Sequence, residues 1–281
     1  MIEGEFAAFF LEVCARLGLA ADGYRRTRGS VRKRIGRRLR ELRLAGLAEY
    51  RRYLAAQPDE WRWLDRCCRI TISRFARDGA VYEALVTRHL PAQAAAARAR
   101  GQRCVRVWSA GSASGEEPYG LAIAWRIDVQ PRFPELQLDV LATDVEPTVL
   151  ARAARGGYPE GALRELPARW RVAFERRDDE WWLTEPYRAG VRFERADLRS
   201  EWPAGPYDVV LCRNLAFTYF DEPTQLRLAG VFAAVLQPGG VLVVGRGERV
   251  PTGSAGLSPN EPELYVRSGG KCVPVVPSGS A

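Results

Sequence analysis

The sequence predicts a helical N-terminal domain followed by an α/β domain whose sheet is mostly parallel. In the first hundred residues, apolar side chains recur at helical spacing, as Phe6, Phe9 and Phe10 show. After Gly101, short apolar runs alternate with helix-length stretches, a pattern typical of a parallel sheet with helices on both faces. A length of 281 residues with 47% hydrophobic residues suffices for two domains of ordinary size.

The predicted N-terminal domain covers residues 1–92 and consists of successive helices. Ser30 is the expected N-cap of the second helix, and Pro91 is expected to end the fifth. A further Ala-rich helix is expected over 92–100, leading into the next domain. The apolar spacing places the first five helices at 6–17, 31–42, 47–54, 61–72 and 78–90.

The predicted α/β domain covers residues 93–270. Its strands are expected at 105–108, 138–142, 207–212, 241–244 and 264–267, with helices at 147–155 and 223–236. The Trp-rich stretch 156–197 interrupts this alternation and is predicted to be a small β-containing insertion, either a flap on the sheet or a docking surface. The Pro/Gly/Ser-rich residues 271–281 are expected to form a flexible tail.

Positive charge is concentrated in the helical domain. The chain carries a formal charge of +8, and the stretch from Asp22 to Tyr53 contains twelve basic and three acidic residues. A basic outer face is predicted on the helix over 31–43, which would attract an acidic partner. The residues of that face are Arg32, Lys33, Arg37, Arg40 and Arg43.

Composition excludes several classes of protein. His89 is the single histidine, so neither a His-rich zinc site nor a Ser–His–Asp triad is expected, and no metal site is predicted. No apolar stretch reaches the ~18 residues of a membrane span. We therefore expect a cytoplasmic protein without membrane insertion.

A small-residue loop follows the first predicted strand and precedes a helix. The loop reads Ser-Ala-Gly-Ser-Ala-Ser-Gly-Glu-Glu from Ser109 to Glu117, which is not the G-x-G-x-x-G spacing of nicotinamide sites. Its acidic end would repel a pyrophosphate, whereas its backbone N–H groups could approach a ligand without phosphate. Asp144 ends the next strand, where a carboxylate commonly binds a ribose diol. These features indicate a nucleoside ligand.

Three long segments resemble CheR-type chemotaxis receptor methyltransferases. They are WSAGSASGEEPYGLAIAW, ATDVEPTVLARAARGGY and DVVLCRNLAFTYFDEPTQLRLAGVFAAVLQPGGVLVVG, with ITISRFARD upstream, and the resemblance spans about residues 24–267. It implies a class I, Rossmann-like S-adenosylmethionine (AdoMet) methyltransferase fold with an antiparallel last strand, an N-terminal helical domain and a small β insertion. It also implies methyl transfer to receptor glutamate carboxylates, with S-adenosylhomocysteine as the product.

The resemblance also implies which residues form the site. Arg77 and Tyr219 would be catalytic, and Arg77 would contact the cofactor as well. The other cofactor-binding positions would be Thr71, Ser73, Gly111, Glu117, Asp144, Asp197, Leu198, Arg213 and Asn214.

A carboxylate acceptor suits a chain with one histidine. With a pKa of about 4.3, a glutamate is already ionised at pH 7 and needs no general base. We expect Arg77 to pair with the acceptor carboxylate and Tyr219 to align it. The alternatives are an Arg77–Asp78 ion pair, and core packing of Tyr219 with Phe217 and Phe220.

Some positions depart from the family pattern. Thr71 and Ser73 stand where the family has Asn and Thr, Tyr219 follows Asn214 by five residues instead of four, and residues 245–248 read Gly-Arg-Gly-Glu instead of Gly-His-Ser-Glu. A small molecule, another protein or nucleic acid therefore stays open as the acceptor, as does an AdoMet-binding module without turnover. An acidic chemoreceptor helix docked on residues 31–43 is the favoured partner, because the basic stretch has few aromatic residues for stacking on nucleic-acid bases.

Overall fold

The structure is a computed structural model that describes residues 3–254 and 256–268. Its contacts divide the chain into two compact units: Met1–Ile70 with Thr218–Thr224, and Thr71–Phe217 with Gln225–Ala281. The predicted tail at 271–281 lies outside the described residues. Among the described residues, no helix combines the length and apolarity needed to cross a bilayer.

The N-terminal part of the first unit consists of the helices α1 Glu3–Leu17, α2 Arg28–Glu41, α3 Leu47–Ala56 and α4 Glu60–Cys68, with a 3₁₀ turn at Ala21–Tyr24. Their apolar faces bury Phe6, Ile35 and Leu64 completely. A buried carboxylate, Glu60, accepts hydrogen bonds from Arg38 (2.7 and 2.9 Å) and from the Tyr50 hydroxyl (2.9 Å). Charged and polar groups of α2, α3 and α4 are thus joined inside the unit, where their pairing satisfies the buried charge.

Two predicted helix ends in this unit were wrong. Helix α2 begins at Arg28 with Thr27 as its N-cap, because the Ser30 N–H already donates to the Thr27 carbonyl (2.9 Å) and Ser30 lies inside the first turn. Helix α4 ends at Cys68 and not at Ile72, since Arg69 is extended. The Arg34 guanidinium binds the carbonyls of Cys67 (2.9 Å) and Arg69 (2.6 Å) at that end.

The second unit begins with α5 Gly79–Ala84, a π-helical turn Leu85–His89 and α6 Leu90–Ala99. These segments pack into the core of the sheet through Leu85, Leu90 and Ala94. They therefore belong to the second unit, which starts at Thr71. The sequence placed the domain boundary later, at 92–93. The prediction that Pro91 ends a helix was wrong. Pro91 lies in the first turn of α6, where its missing N–H is tolerated after the wider π turn.

Within residues 3–254 and 256–268, ten strands form two sheets. The main sheet has the order β6-β2-β1-β7-β8-β10-β9, in which β6, β2, β1, β7 and β8 run parallel. The last strand, β10, is antiparallel to β8 as predicted, and β9 pairs antiparallel with β10. The small sheet has the order β3-β5-β4. The strands are β1 Cys104–Ala110, β2 Gln137–Asp144, β3 Gly157–Pro159, β4 Phe174–Arg177, β5 Glu180–Leu183, β6 Val191–Arg195, β7 Tyr207–Cys212, β8 Leu236–Val244, β9 Leu257–Glu261 and β10 Leu264–Arg267.

Helices connect the parallel strands and complete the core. Val107, Val209 and Val243 from adjacent strands are fully buried between them. The helices of this part of the chain are α7 Glu116–Ala124, α8 Pro147–Arg155, α9 Glu185–Arg188, α10 Ala216–Tyr219 and α11 Glu222–Val235.

The predicted insertion at 156–197 is β-containing, but it extends too far. Strands β3, β4 and β5 form the separate small sheet, whereas β6 is the edge strand of the main sheet beside β2. The side chains of Val191–Arg195 are half-exposed or exposed, so this edge strand lacks the continuous apolar run that marks the central strands.

Candidate active site

The carboxyl ends of five neighbouring parallel strands meet at one edge of the main sheet. In sheet order, Asp197 follows β6, Asp144 ends β2, Gly111 follows β1, Arg213 follows β7 and Gly245 follows β8. Open α/β sheets bind ligands at this edge. Apart from Tyr219, every predicted site residue belongs to this unit, and those outside residues 71–77 follow or end these strands or begin α7.

Asp144 links the ends of β1 and β2. One carboxylate oxygen accepts the backbone N–H of Ala113 (2.9 Å) and the other accepts that of Glu146 (2.9 Å). These two bonds fix the plane of the carboxylate at the strand tip. A carboxylate held there has the acceptor chemistry that a ribose diol requires.

The loop after β1 directs its backbone donors toward β2. The N–H groups of Gly111 and Ser112 both donate to the Thr143 carbonyl (2.8 and 2.9 Å), so these donors do not serve a ligand as the sequence suggested. Gly111 has a φ of +82°, and a Cβ there would lie 2.2 Å from Cδ2 of Leu215. Glycine is therefore required both by the backbone conformation and by the close approach of the residue after Asn214.

Glu117 and Arg213 form a partly buried ion pair at the start of α7. One Glu117 oxygen accepts the Ser109 hydroxyl (2.8 Å) and the other accepts an Arg213 N–H (3.1 Å). A second Arg213 nitrogen donates to the Arg77 carbonyl and to the Asp78 carboxylate (3.2 Å). The structure thus brings together three predicted site residues, Glu117, Arg213 and Arg77, through hydrogen bonds within the chain.

Residues 71–78 carry the other predicted contacts. Thr71 and Ser73 are half-buried, and the Arg77 guanidinium donates to the Ile72 carbonyl (2.9 Å). Asp78 pairs with Arg213 and accepts the Arg246 N–H (3.3 Å), and within the described residues it makes no ion pair with Arg77. Ala76 and Asp78, on either side of Arg77, have φ values of +53° and +59°, a left-handed conformation that is costly without glycine.

Glu116 is a buried carboxylate at the acidic end of the loop after β1. It is 4% exposed, and burial raises the pKa of its carboxyl, while a hydrogen bond from the Ser73 hydroxyl opposes that shift. Its Oε2 and the Ser112 hydroxyl are buried with no hydrogen-bond partner among the described residues. The acidic pair of the loop therefore divides: Glu117 contacts Arg213, and Glu116 contacts the segment around Ser73.

Glu248 joins the tips of β7 and β8, a role that the sequence did not indicate. Its Oε2 accepts the N–H groups of Asn214 (2.7 Å) and Gly245 (2.6 Å), and its side chain is buried. A Cβ on Gly245 would lie 2.3 Å from Nδ2 of Asn214. Gly245 and Glu248, the first and last residues of the altered 245–248 motif, thus hold Asn214, whose φ is +56°, at the strand tip.

Asp197 and Leu198 follow β6 in a tight turn. The Asp197 carboxylate accepts the backbone and guanidinium N–H groups of Arg199 (2.8–3.0 Å), and Leu198 is buried. The Leu198 carbonyl accepts the Trp202 indole N–H (2.7 Å). The pair therefore has a fixed backbone beside the tip of β2.

Tyr219 belongs to the first unit. Its ring lies 4.8 Å from that of Tyr24, and its carbonyl accepts the Ala20 N–H (2.8 Å). Phe217 packs on Phe232 in the second unit, with ring centroids 6.2 Å apart. The role of Tyr219 in aligning an acceptor stays a prediction.

The donor set at this edge fits AdoMet. A positively charged sulfonium with a ribose and no phosphate suits an edge that carries the carboxylates of Glu116, Glu117 and Asp144. Asp144 would hold the ribose, and the carboxylates of Glu116 and Glu117 would favour the positive charge of the sulfonium and ammonium groups at this edge. Among the described residues, no group of three or more His, Cys, Asp or Glu side chains could hold a metal ion.

Comparison with known families agrees with this geometry. The SAM-binding domain of CheR methyltransferases matches residues 71–261, and the all-alpha domain of the same family matches residues 4–64. The two matches begin close to where the two compact units begin, and the first covers the strand-tip site. Both parts of the chain thus match one family.

Curated relatives point the same way. A probable chemotaxis protein methyltransferase of Rhizobium etli is 32% identical over 228 residues, which are 78% of this chain and 84% of the relative. Chemotaxis protein methyltransferase 2 of Pseudomonas aeruginosa is 33% identical over 78% of this chain and 77% of its own length. The chain therefore belongs to the CheR methyltransferase family and is an AdoMet-dependent methyltransferase.

Proposed function

We propose that this enzyme transfers the methyl group of AdoMet to a carboxylate, specifically to glutamate side chains of a chemoreceptor-like protein. The names of the relatives, chemotaxis protein methyltransferases, support this acceptor class. The observation that carries the proposal is the environment of the Arg77 guanidinium. This half-exposed group donates to the Ile72 carbonyl and, among the described residues, makes no ion pair, so a cation is available beside the strand tips for an acceptor carboxylate.

The protein's part in the reaction is to bind and orient. When bound, AdoMet would supply the methyl group: transfer forms a bond between a carboxylate oxygen and the methyl carbon, breaks the methyl–sulfur bond to leave S-adenosylhomocysteine, and requires no proton transfer. Arg77 holds the acceptor carboxylate by charge-assisted hydrogen bonds and directs one oxygen toward the methyl group. Asp144 binds the ribose, and the proposed role of Tyr219 is to align the acceptor. Rate enhancement then rests on positioning and electrostatics.

The acceptor is proposed to dock on α2 through a narrower basic stripe than the sequence suggested. Arg32 is only half-exposed and pairs with Glu3, whereas Lys33, Arg37 and Arg40 are exposed, although Arg37 also pairs with Glu41 (3.6 Å). These three lie at i, i+4 and i+7 and therefore share one helix face. A Glu-rich helix would complement this stripe, and the charge would accelerate its encounter with the enzyme.

The reaction is tested with labelled AdoMet and a Glu-rich receptor helix. We expect a label that is released by mild base as methanol, the behaviour of a carboxyl ester. Arg77→Ala should lower kcat/KM by about 10- to 100-fold, the value of a charge-assisted hydrogen bond. Arg74→Ala is the matched control, because Arg74 lies three residues away and pairs with Glu165 (3.1 Å). Base-stable label, or full turnover by Arg77→Ala, would refute the proposal.

Docking is tested by charge reversal on the stripe. Arg40→Glu should raise KM several-fold at low salt, and the effect should shrink at 0.5 M salt because exposed charges are then screened. Arg62→Glu on α4 is the control, since Arg62 is exposed and pairs only with Asp59 among the described residues. Equal KM values for the two variants would exclude the stripe as the docking surface.

A further inference from the structure

Both terminal nitrogens of Arg213 donate hydrogen bonds to other residues of the protein. Its side chain is 3% exposed; one terminal nitrogen donates to Glu117 (3.1 Å), and the other donates to Asp78 (3.2 Å) and to the Arg77 carbonyl. Its Cζ lies 5.6 Å from the ring centroid of Tyr82. We propose that Arg213 is a positioning residue that holds the turn 76–78, and with it the Arg77 side chain, against the tip of β7.

The turn needs such a hold because its backbone is strained. Ala76 and Asp78 both adopt positive φ, a conformation that costs a residue with a Cβ about 1–2 kcal/mol. Strained residues persist where their surroundings over-determine them, and they cluster at active sites. Here Arg213 binds the Arg77 carbonyl and the Asp78 carboxylate at once, so a single side chain grips the middle and the end of the turn.

Through Asp78 and Glu117, the contacts of Arg213 reach three elements besides β7, which Arg213 itself follows. Asp78 also accepts the N–H of Arg246, which follows β8, and Glu117, at the start of α7, anchors the other terminal nitrogen of Arg213. Glu117 is in turn held by the Ser109 hydroxyl on β1 (2.8 Å). The position of the Arg77 carbonyl is thereby tied to β1, β7, β8 and α7. A role for Arg213 as a direct cofactor ligand is disfavoured, since both terminal nitrogens already bind the protein, and its Nε, which has no hydrogen-bond partner among the described residues, is buried.

The inference rests on the proposed role of Arg77, and a double-mutant cycle tests it. Arg213→Gln should lower kcat/KM by about tenfold or more, because the turn loses its charged anchor. If Arg213 acts through Arg77, the double variant Arg77→Ala/Arg213→Gln should resemble Arg77→Ala within about threefold. A double variant whose loss is the product of the two single losses would overturn the inference, because Arg213 would then act independently.

A second readout needs no acceptor. Hydrogen exchange should accelerate in residues 71–79 of Arg213→Gln, including the Phe75 N–H that donates to Ala162 (3.1 Å). Unchanged exchange in this segment would overturn the positioning role even if methyl esters form normally. Conversely, faster exchange in a protein that forms no ester would sustain the role and refute the proposed acceptor, so the two failures are distinguishable.

The matched control lies at the other end of the same strand. Arg100 pairs with Asp208, which is 1% exposed at the start of β7, so Arg100→Gln also removes a partly buried ion pair of this unit. It should lower thermal stability without changing kcat/KM or the exchange of residues 71–79. If Arg213→Gln fails to fold, Arg213→Lys keeps the charge. One ammonium cannot reproduce the forked contacts, so we expect a folded protein with the same local increase in exchange, and its absence would overturn the inference.

Discussion

The carboxylate of Glu248 offers the sharpest test of how the strand tips are held. Its Oε2 accepts two backbone N–H groups, from Asn214 at 2.7 Å and from Gly245 at 2.6 Å, and the side chain is 6% exposed. Glu248→Ala would leave two buried donors unsatisfied. At about 1–3 kcal/mol for each, the free energy of unfolding should fall by ~2–6 kcal/mol.

Urea titration followed by far-UV circular dichroism measures this loss, and calorimetry with AdoMet measures its effect on the site. We expect weaker AdoMet binding as well, because Asn214 would lose the contact that holds its positive φ. Glu248→Gln keeps an oxygen that can accept both N–H groups and should cost only ~1 kcal/mol. Glu263→Ala is the control from the neighbouring hairpin, where a single carboxylate oxygen accepts the Gly247 N–H at 2.9 Å.

The result that would refute this reasoning is a Glu248→Ala protein within about 0.5 kcal/mol of the parent that binds AdoMet normally. In that case the two N–H groups must find other acceptors, and the tips of β7 and β8 would not depend on the final residue of the altered motif.

Two further predictions concern the loop after β1. Burial raises the pKa of Glu116 above its ordinary value of 4.5, so the folded protein binds this proton more tightly than the unfolded chain and stability should fall as pH rises from 4.5 through the raised pKa. Glu116→Gln should remove that fall. The measurement is the melting temperature of each protein from about pH 4.5 to about pH 8, and the same pH dependence in both proteins would contradict the prediction. Gly111→Ala should cost ~2–4 kcal/mol from its φ of +82° and the 2.2 Å approach to Leu215, and should weaken AdoMet binding. Gly101→Ala, with a φ of +69° and nothing within 4 Å, should cost only the backbone part in a thermal melt, and equal losses would dismiss the clash.

The central parallel strands could be predicted because a strand that is buried on both faces requires a continuous run of apolar residues. Tyr207–Cys212 is buried throughout and was predicted with its observed bounds. The edge strand Val191–Arg195 carries no such run, and the sequence placed it in the insertion. The sequence predicted helices on both sides of Pro91 but not the helix that continues through it. The reason is that a π turn at Leu85–His89 widens the backbone just before the proline, and local helix propensity does not indicate such a turn.

The site divides in the same way. Asp144 and Asn214 end or follow predicted strands, so the topology alone brings them to one edge of the sheet. The contacts of Arg213 join residues 135 and 136 positions apart in the chain, and those of Glu248 reach 34 residues back. No short-range pattern encodes such pairings, so whether a charged residue at this edge holds the backbone or faces a ligand emerges only from the three-dimensional structure.

The helical unit is discontinuous in the chain, and this bears on the order in which the protein can form. Ala20 donates to the Tyr219 carbonyl (2.8 Å), and the Asp221 N–H donates to the Gly18 carbonyl (3.0 Å). A Cβ on Gly23 would lie 1.9 Å from the Thr218 oxygen, so the two segments approach closely. During synthesis the N-terminal helices leave the ribosome first, yet they must wait for some two hundred later residues before these backbone bonds can close. A fragment ending at Ile70 would leave this seam open, and a clone meant to isolate the unit would have to splice residues 218–224 onto it.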